Sequence, residues 1–318
     1  LRFADMEILA DGRPLAERLE LRANADLGGG RFHSESALSG LVDAGGALVI
    51  GNARMQTDTR FEEVPTEMLL ALGALDPALA PALGPTVRAR VSGRVPGALE
   101  VRAEGANTRV SAQARIDANG VLGLERDAEL TLNVTPPLID GYLARLHPFL
   151  NDVRSAEQPI RLALSADGFR LPLAEYRPAE ISARGRLEIG TLNMNRGAIT
   201  LGLFGALQQL GGNPRMGSNF QARFTPLEFS VSDGQVETND LWMQMEGMML
   251  GSRARVRLPE QPDAVPHAEM EFAVPGQTLR GLPRIADSIA PDTLLTTAAS
   301  GPINQISPNF SKLFAGLA

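Results

Sequence analysis

The amino-acid sequence predicts a mostly β protein, built as a long antiparallel meander of strands with a few short amphipathic helices. Two observations support this prediction: apolar and polar residues alternate along many short segments, and turn sequences separate those segments. A third observation adds the helices, because several predicted strands run into a proline and then into a helical pattern. A β-sandwich or a solenoid is the alternative interpretation of the same pattern.

Alternation of apolar and polar residues is the main signal. Residues 128–134, AELTLNV, alternate strictly, which is the period of a strand with one face buried and the other in water. The same alternation occurs in further segments, at 19–25, 99–103, 110–116, 160–164, 181–189, 220–224, 227–231, 254–258 and 270–274. Turn sequences rich in glycine and aspartate separate them, at 11–14, 27–30, 43–46, 117–120, 166–168 and 232–235. Because antiparallel neighbours need only short turns, these segments predict a meander.

Three of the predicted strands end in a proline that leads into a helix. Val64, Val134 and Val274 each precede a proline by one or two residues. Apolar residues then follow at helical spacing, in 68–75, 138–146 and 279–285. The intervals between the three valines are multiples of about 70 residues, which predicts stacked repeat units and a fourth helix near position 204. Residues 199–210 have that helical spacing but lack the proline, and helices spaced by chance are the alternative explanation.

Composition excludes several classes of function. The net charge of −7 argues against nucleic-acid binding, which needs a basic surface, so no nucleic-acid partner is predicted. The absence of cysteine excludes disulfides and thiolate metal sites, and fits either a reducing cytoplasm or a bacterial envelope protein without bridges. Residues 197–214 and 293–311 are uncharged for long stretches, but their glycine, proline and polar content makes them poor membrane spans. Because residues 1–6 already alternate, we expect the chain to be a segment of a longer protein.

No motif for chemistry is recognisable. The three histidines are far apart and have no metal-ligand spacing, and neither a nucleophile elbow nor a phosphate-binding loop is present. We expect His147 to be a cap or a surface group. Asp233, Glu237 and Asp240 surround one predicted hairpin, but they lack the calcium-loop pattern and predict a solvated turn. We therefore predict no catalytic residue, no metal and no cofactor, with a hydrolase assembled from distant residues as an alternative.

The apolar face of the predicted sheet is the remaining candidate for function. For each residue taken singly, packing in an ordinary core is the alternative to contact with an apolar ligand. The candidate lining residues share alternating positions on the predicted strands: Leu99, Val101, Val110, Leu130, Leu132, Val134, Ile160, Leu162, Leu164, Ile181, Leu187, Ile189, Phe220, Phe224, Phe229, Val231, Met243, Met245, Val256, Met270, Phe272 and Val274.

The last third of the chain resembles a known family. Residues 224–258 contain an apolar strand, an aspartate-glycine turn, a strand with threonine and aspartate, and a glycine before a strand that ends in leucine. The matching positions are Phe229, Asp233, Gly234, Thr238, Asp240, Gly251 and Leu258. The tail that follows carries Gly301, Pro308, Leu313 and Phe314. This pattern resembles the C-terminal region of AsmA-like proteins, relatives of TamB and YhdP, over residues 219–318, although Met248 and Met249 stand where polar residues are usual.

The resemblance implies a specific fold and function. It implies that residues 1–318 form one elongated segment of a repeating β-groove, a twisted sheet curled into a trough with an apolar inside, which the helices cover or border. It further implies a periplasmic protein with an N-terminal inner-membrane anchor. The implied partner is a phospholipid or another acyl-chain lipid on its way to the outer membrane. A non-enzymatic envelope scaffold with a closed β core is the alternative.

Overall fold

A computed structural model describes residues 18–41, 53–73, 75, 77, 79–106, 108–140, 147–173, 175–212, 217–245, 247–261, 264–280, 282 and 289–314. The chain divides into two compact units, the first from Leu1–Asn133 and Leu162–Glu175 and the second from Val134–Arg161 and Tyr176–Ala318. The predicted turns at 11–14 and 43–46, and most of the predicted helix at 138–146, lie outside the described residues. The prediction of one elongated segment stays a prediction.

The first unit is an antiparallel meander. Its strands, numbered along the whole chain, are β1 (Leu19–Leu27), β2 (Gly30–Ser39), β3 (Arg54–Pro65), β4 (Thr86–Val95), β5 (Gly97–Gly105), β6 (Thr108–Ile116), β7 (Val121–Leu124), β8 (Ala128–Leu132) and β11 (Leu171–Pro172). From β1 to β6 each strand pairs with the next, β6 then pairs with both β7 and β8, and β7 pairs with β11. The helices among the described residues of this unit are α1 (Thr66–Ala71) and α2 (Ala80–Leu83).

The two helices close one end of this sheet. Proline at position 65 ends β3 and its fixed φ begins α1, as the sequence predicts. Below the helices lies a small core of four buried residues, Leu27, Val64, Leu69 and Val87. Thr108 on β6 donates a hydrogen bond of 2.7 Å to the carbonyl of Ala82 in α2, which fixes that helix to the sheet.

The second unit contains the remaining strands and helices. Its strands are β9 (Val153–Ala156), β12 (Ala183–Glu188), β13 (Thr191–Asn195), β14 (Asn219–Phe224), β15 (Leu227–Ser232), β16 (Gln235–Thr238), β17 (Leu241–Met245), β18 (Met248–Arg257), β19 (His267–Pro275) and β20 (Leu294–Pro302), while β10 (Ile160–Leu164) spans the boundary between the units in sequence. Its helices are α3 (Pro136–Leu138), α4 (Ala198–Gln209), α5 (Gly276–Leu279) and α6 (Phe310–Phe314), with 3₁₀ turns at Pro148–Asp152, Pro178–Glu180 and Ile303–Gln305. The strands pair in the antiparallel order β9-β13-β14-β17-β18-β19-β20, and β12-β15-β16 joins them at β18.

A continuous aromatic core lies on one face of the second unit's sheet. Phe272 of β19 is fully buried between Phe149 and Phe310, with ring centroids 5.9 and 6.2 Å away. Phe149 also lies 6.4 Å from Phe224 of β14. Phe310 belongs to α6, against which α4 packs, and Leu203 of α4 has no exposed surface. Helical segments of the same unit therefore cover this face.

The predicted fold class is confirmed: the protein is mostly β, its described pairings are antiparallel, and its helices are few and short. Proline begins or immediately precedes a helix at Pro65, Pro136 and Pro275, and α4 lies where the fourth helix is predicted. Within the described part of the chain, no helix combines the length and the apolar character needed to cross a membrane.

Candidate functional site

A serine and a histidine are hydrogen-bonded inside the second unit. The Nε2 atom of His147 lies 3.0 Å from Oγ of Ser252, and both side chains are almost completely buried. The other ring nitrogen, Nδ1, accepts a hydrogen bond of 3.2 Å from the backbone N–H of Phe149. His147 is therefore a cap, at the start of the 3₁₀ turn Pro148–Asp152, and it lies in the core and not on the surface.

This pair does not have the arrangement of a nucleophile and its base. Because Nδ1 accepts a hydrogen bond, the proton of the neutral ring is on Nε2 and is donated to Ser252. A general base needs a free lone pair facing the hydroxyl, and Nε2 does not offer one. Burial lowers the pKa of His147 to about 3, which keeps the ring neutral. The pair satisfies buried polar groups and stabilises the second unit.

One face of the first unit's sheet is dense in charge. A surface cavity of about 440 Å³ is lined by arginines of β3 to β6, including Arg60, Arg90 and Arg102. Asp58 accepts hydrogen bonds from Arg60 at 2.8 Å and from Arg90 at 3.0 Å, and these two guanidinium groups hold the pKa of Asp58 at about 2. The other lining arginines are also paired with carboxylates: Arg88 with Glu63, Arg102 with Glu100 and Arg109 with Glu104. This charged face is therefore a set of neutralised, exposed ion pairs, which is a poor site for an anionic ligand.

The acidic residues of the predicted hairpin are paired with arginines. Glu237 lies 2.9 Å from Arg255, and Asp240 lies 3.0 Å from Arg253. Asp233 occupies the turn with a positive φ of 51°. Among the described residues, no group of three acidic, histidine or cysteine side chains is arranged to hold a metal ion.

The opposite face of the first unit's sheet is apolar. Residues paired across antiparallel strands point to the same side, so the register defines this face. One row runs through Ala23, Ser34, Thr59, Val91 and Val101, on β1 to β5. We use the name apolar face for the alternate residues of β1 to β6 that share the side of Val101, a set without any charged side chain.

Most side chains of the apolar face are only half-buried. On β5, Leu99, Val101 and Ala103 are neither buried nor fully exposed, and the same holds for Phe32 and Phe61. Six strands at about 4.8 Å spacing give this face a width of about 24 Å between β1 and β6. In the second unit, Phe272 occupies an equivalent alternating position and is fully buried. The same alternating pattern therefore gives half-buried side chains in the first unit and a fully buried side chain at Phe272 in the second.

A group of four hydroxyl side chains interrupts the apolar face. Ser34 and Ser36 of β2 lie opposite Thr59 and Thr57 of β3. The hydroxyl oxygens are 2.9 Å apart in the Ser34–Thr59 pair, 3.0 Å in the Ser36–Thr57 pair and 3.0 Å between the two threonines. We refer to these four residues as the hydroxyl island.

The predicted lining residues fall into three groups. Those of the first unit are half-buried: Leu99, Val101, Val110, Leu130, Leu132, Leu162 and Leu164. Some of the second unit are also half-buried: Val134, Ile181, Phe220, Phe229 and Val231. The others are buried in the second unit: Ile160, Leu187, Ile189, Phe224, Met243, Met245, Val256, Met270, Phe272 and Val274. Their role as the lining of a lipid groove stays a prediction.

Sequence reasoning missed the hydroxyl island and strand β2, and of strand β3 it predicted only the end at Val64 and Pro65. The available signal was a serine at every second position of β2, in HSES, and a threonine at every second position of β3, in QTDT. Without the register of β2 against β3, nothing indicates that the two pairs meet.

Comparisons with known proteins give no relative: no family model, no curated protein and no solved structure matches the chain. The resemblance to the AsmA-like family therefore stays a prediction, carried by the residues named above.

Proposed function

We propose that the protein binds lipids, and that the apolar face of the first unit holds their acyl chains. The supporting observation is a face six strands wide, without charged side chains, whose residues stay half-buried. Each methylene group that leaves water for such a surface contributes about 0.8 kcal/mol, so ten methylenes contribute at most about 8 kcal/mol. No catalytic group is needed for this activity.

The setting of this function is part of the proposal. Following the AsmA-like resemblance of residues 219–318, the protein supports phospholipid transport to the outer membrane or assembly of that membrane, from the periplasm and with an inner-membrane anchor in the full-length protein. Cell fractionation of the full-length protein checks the location, and its recovery from the cytoplasm would contradict it.

The test of lipid binding compares two substitutions on the same strand. Val101→Asp places a carboxylate on the apolar face, where desolvation of the charge opposes an acyl chain. Ala98→Asp, the matched control, adds the same group on the exposed charged face, opposite Arg115. Lipid retained after purification from a bacterial envelope is extracted and quantified by mass spectrometry.

We expect stoichiometric phospholipid on the wild type and on Ala98→Asp, and at least fivefold less on Val101→Asp. A lipid content no higher than that of an acidic soluble control protein would refute the proposal. Equal amounts of bound lipid on the wild type and both variants would show that the lipid does not bind at the apolar face.

A second candidate function is a non-enzymatic envelope scaffold, which the packing of the second unit favours. Phe224, Met243 and Phe272 are buried against their own unit, as in an ordinary closed core. A protein that is folded and free of lipid after purification would support this candidate.

A further inference from the structure

The hydroxyl island is an uncharged polar site within an apolar surface. Along β2 and β3 it lies between two apolar cross-strand pairs, Phe32 with Phe61 on one side and Leu38 with Met55 on the other. The two phenylalanine rings are in contact, with centroids 5.0 Å apart. A ligand that places a polar group at the island therefore finds apolar surface in both directions along the strands.

The hydrogen bonds inside the island leave it able to donate. Four hydroxyl groups carry four protons, and the three hydrogen bonds among them use three. One O–H remains to donate to a ligand, and the oxygens keep unused lone pairs. The neighbour of Thr57 on β4 is Gly93, which has no side chain to cover this part of the island.

The surroundings decide which ligand group fits. No charged side chain lies on the apolar face, and the arginines of β3 and β4 are on the opposite side of the sheet. A phosphate or a free carboxylate at the island would be desolvated without a counter-charge, which is costly. An uncharged acceptor such as a carbonyl oxygen accepts the free O–H without that cost.

We propose that the hydroxyl island binds the ester carbonyl groups of an acyl-ester lipid, so that the linkage between chains and headgroup, and not the headgroup itself, is held at β2 and β3. This inference rests on the proposed lipid-binding function and specifies its substrate class. It also positions the lipid: the acyl chains lie on the apolar pairs that flank the island.

The experiment compares two phospholipids with the same headgroup and chain length, one with ester-linked and one with ether-linked chains. The ether lipid lacks both carbonyl oxygens and is otherwise matched. Each lipid competes with a fluorescent phospholipid for the purified chain. We expect the ester lipid to bind about fivefold more tightly, the ratio that one additional hydrogen bond gives.

Variants assign the preference to the island. Replacing all four residues, by Ser34→Ala, Ser36→Ala, Thr57→Val and Thr59→Val, removes every hydroxyl of the island, keeps the β propensity of strand β3, and should reduce the ester preference to less than twofold. Thr131→Val on β8, whose register partner is Arg109 of the charged face, makes the same chemical change elsewhere and should keep the preference. If this variant does not fold, the infrared carbonyl band of isotope-labelled ester lipid bound to the wild type replaces it: we expect a band at lower wavenumber than for the same lipid in an apolar solvent, and an unshifted band would overturn the inference.

The outcomes separate this inference from the proposed function. Equal binding of ester and ether lipids by the wild type would overturn the inference and leave lipid binding in place. An ester preference that the island variants retain would also overturn it. Binding of neither lipid would overturn both proposals.

Discussion

Replacing Phe272 and Val101 by alanine measures how differently the two units bury their apolar faces. Phe272 has no exposed surface and contacts the rings of Phe149 and Phe310. Truncation of a phenylalanine in such a core costs about 3–5 kcal/mol, from lost transfer free energy and from the cavity left behind. Phe272→Ala should therefore lower the free energy of unfolding by that amount.

Val101→Ala removes two methyl-sized groups from a half-buried position. At about 0.8 kcal/mol for each fully buried group, complete burial of both would be worth about 1.6 kcal/mol, and since Val101 is only partly buried the expected loss is below that value. Aspartate makes the contrast sharper, because a buried carboxylate at Phe272 should unfold the second unit, whereas Val101→Asp should leave the fold intact and block lipid.

Urea unfolding measures both values. Far-UV circular dichroism follows all strands, and the fluorescence of Trp242, the single tryptophan, reports on β17 in the second unit. A loss for Val101→Ala as large as that for Val274→Ala, the same substitution at a position of β19 with no exposed surface, would show that the apolar face is an ordinary packed core and not an open binding surface.

Two further predictions concern stability alone. His147 has a pKa of about 3 in the folded chain against an ordinary value of 6.5. The stabilisation from the neutral ring is therefore complete above pH 6.5. As the pH drops from 6.5 toward 3, the free energy of unfolding falls by up to about 1.4 kcal/mol per pH unit. His147→Gln should reduce the fall in unfolding free energy between pH 6.5 and 5. The control His267→Gln, at an exposed position, should leave that fall unchanged. Equal slopes in the wild type and both variants would contradict the buried neutral ring. Gly205 lies inside α4, and a Cβ there would meet no atom within 4 Å, so Gly205→Ala should raise stability by about 0.5–1 kcal/mol, and a lower melting temperature would refute this.

The strands were predictable because their cause is local. An alternating segment such as 268–274 can bury its apolar side chains only by becoming a strand, and β19 forms there. The helices after Pro65 and Pro275 follow from the restricted φ of proline, which is also local. The position of α4 follows from its apolar spacing alone, since no proline precedes it.

Whether other segments of the chain pack on an apolar face was not predictable, because such packing depends on contacts between residues distant in sequence. LEVRA at 99–103 and AEMEF at 268–272 have the same alternation, yet Val101 is half-buried and Phe272 is fully buried. The difference arises from Phe149 and Phe310, which approach Phe272 from segments more than thirty residues away along the chain. The hydroxyl island likewise depends on the register of β2 against β3.

Side-chain size gives a physical reason for the contrast between the two units. Small residues such as Ala23, Ala89 and Ala103 occupy much of the apolar face, and the helices α1 and α2, six and four residues long, cover one end of it. The face in the second unit carries large phenylalanine, leucine and methionine side chains, and Phe149 of a 3₁₀ turn and Phe310 of α6 pack on it. Large side chains fill the space between a sheet and its helices, whereas small ones leave part of that space unfilled. Since covering apolar surface releases free energy whichever molecule provides the cover, the proposed lipid would gain at the first unit the same kind of stabilisation that the second unit has used in folding.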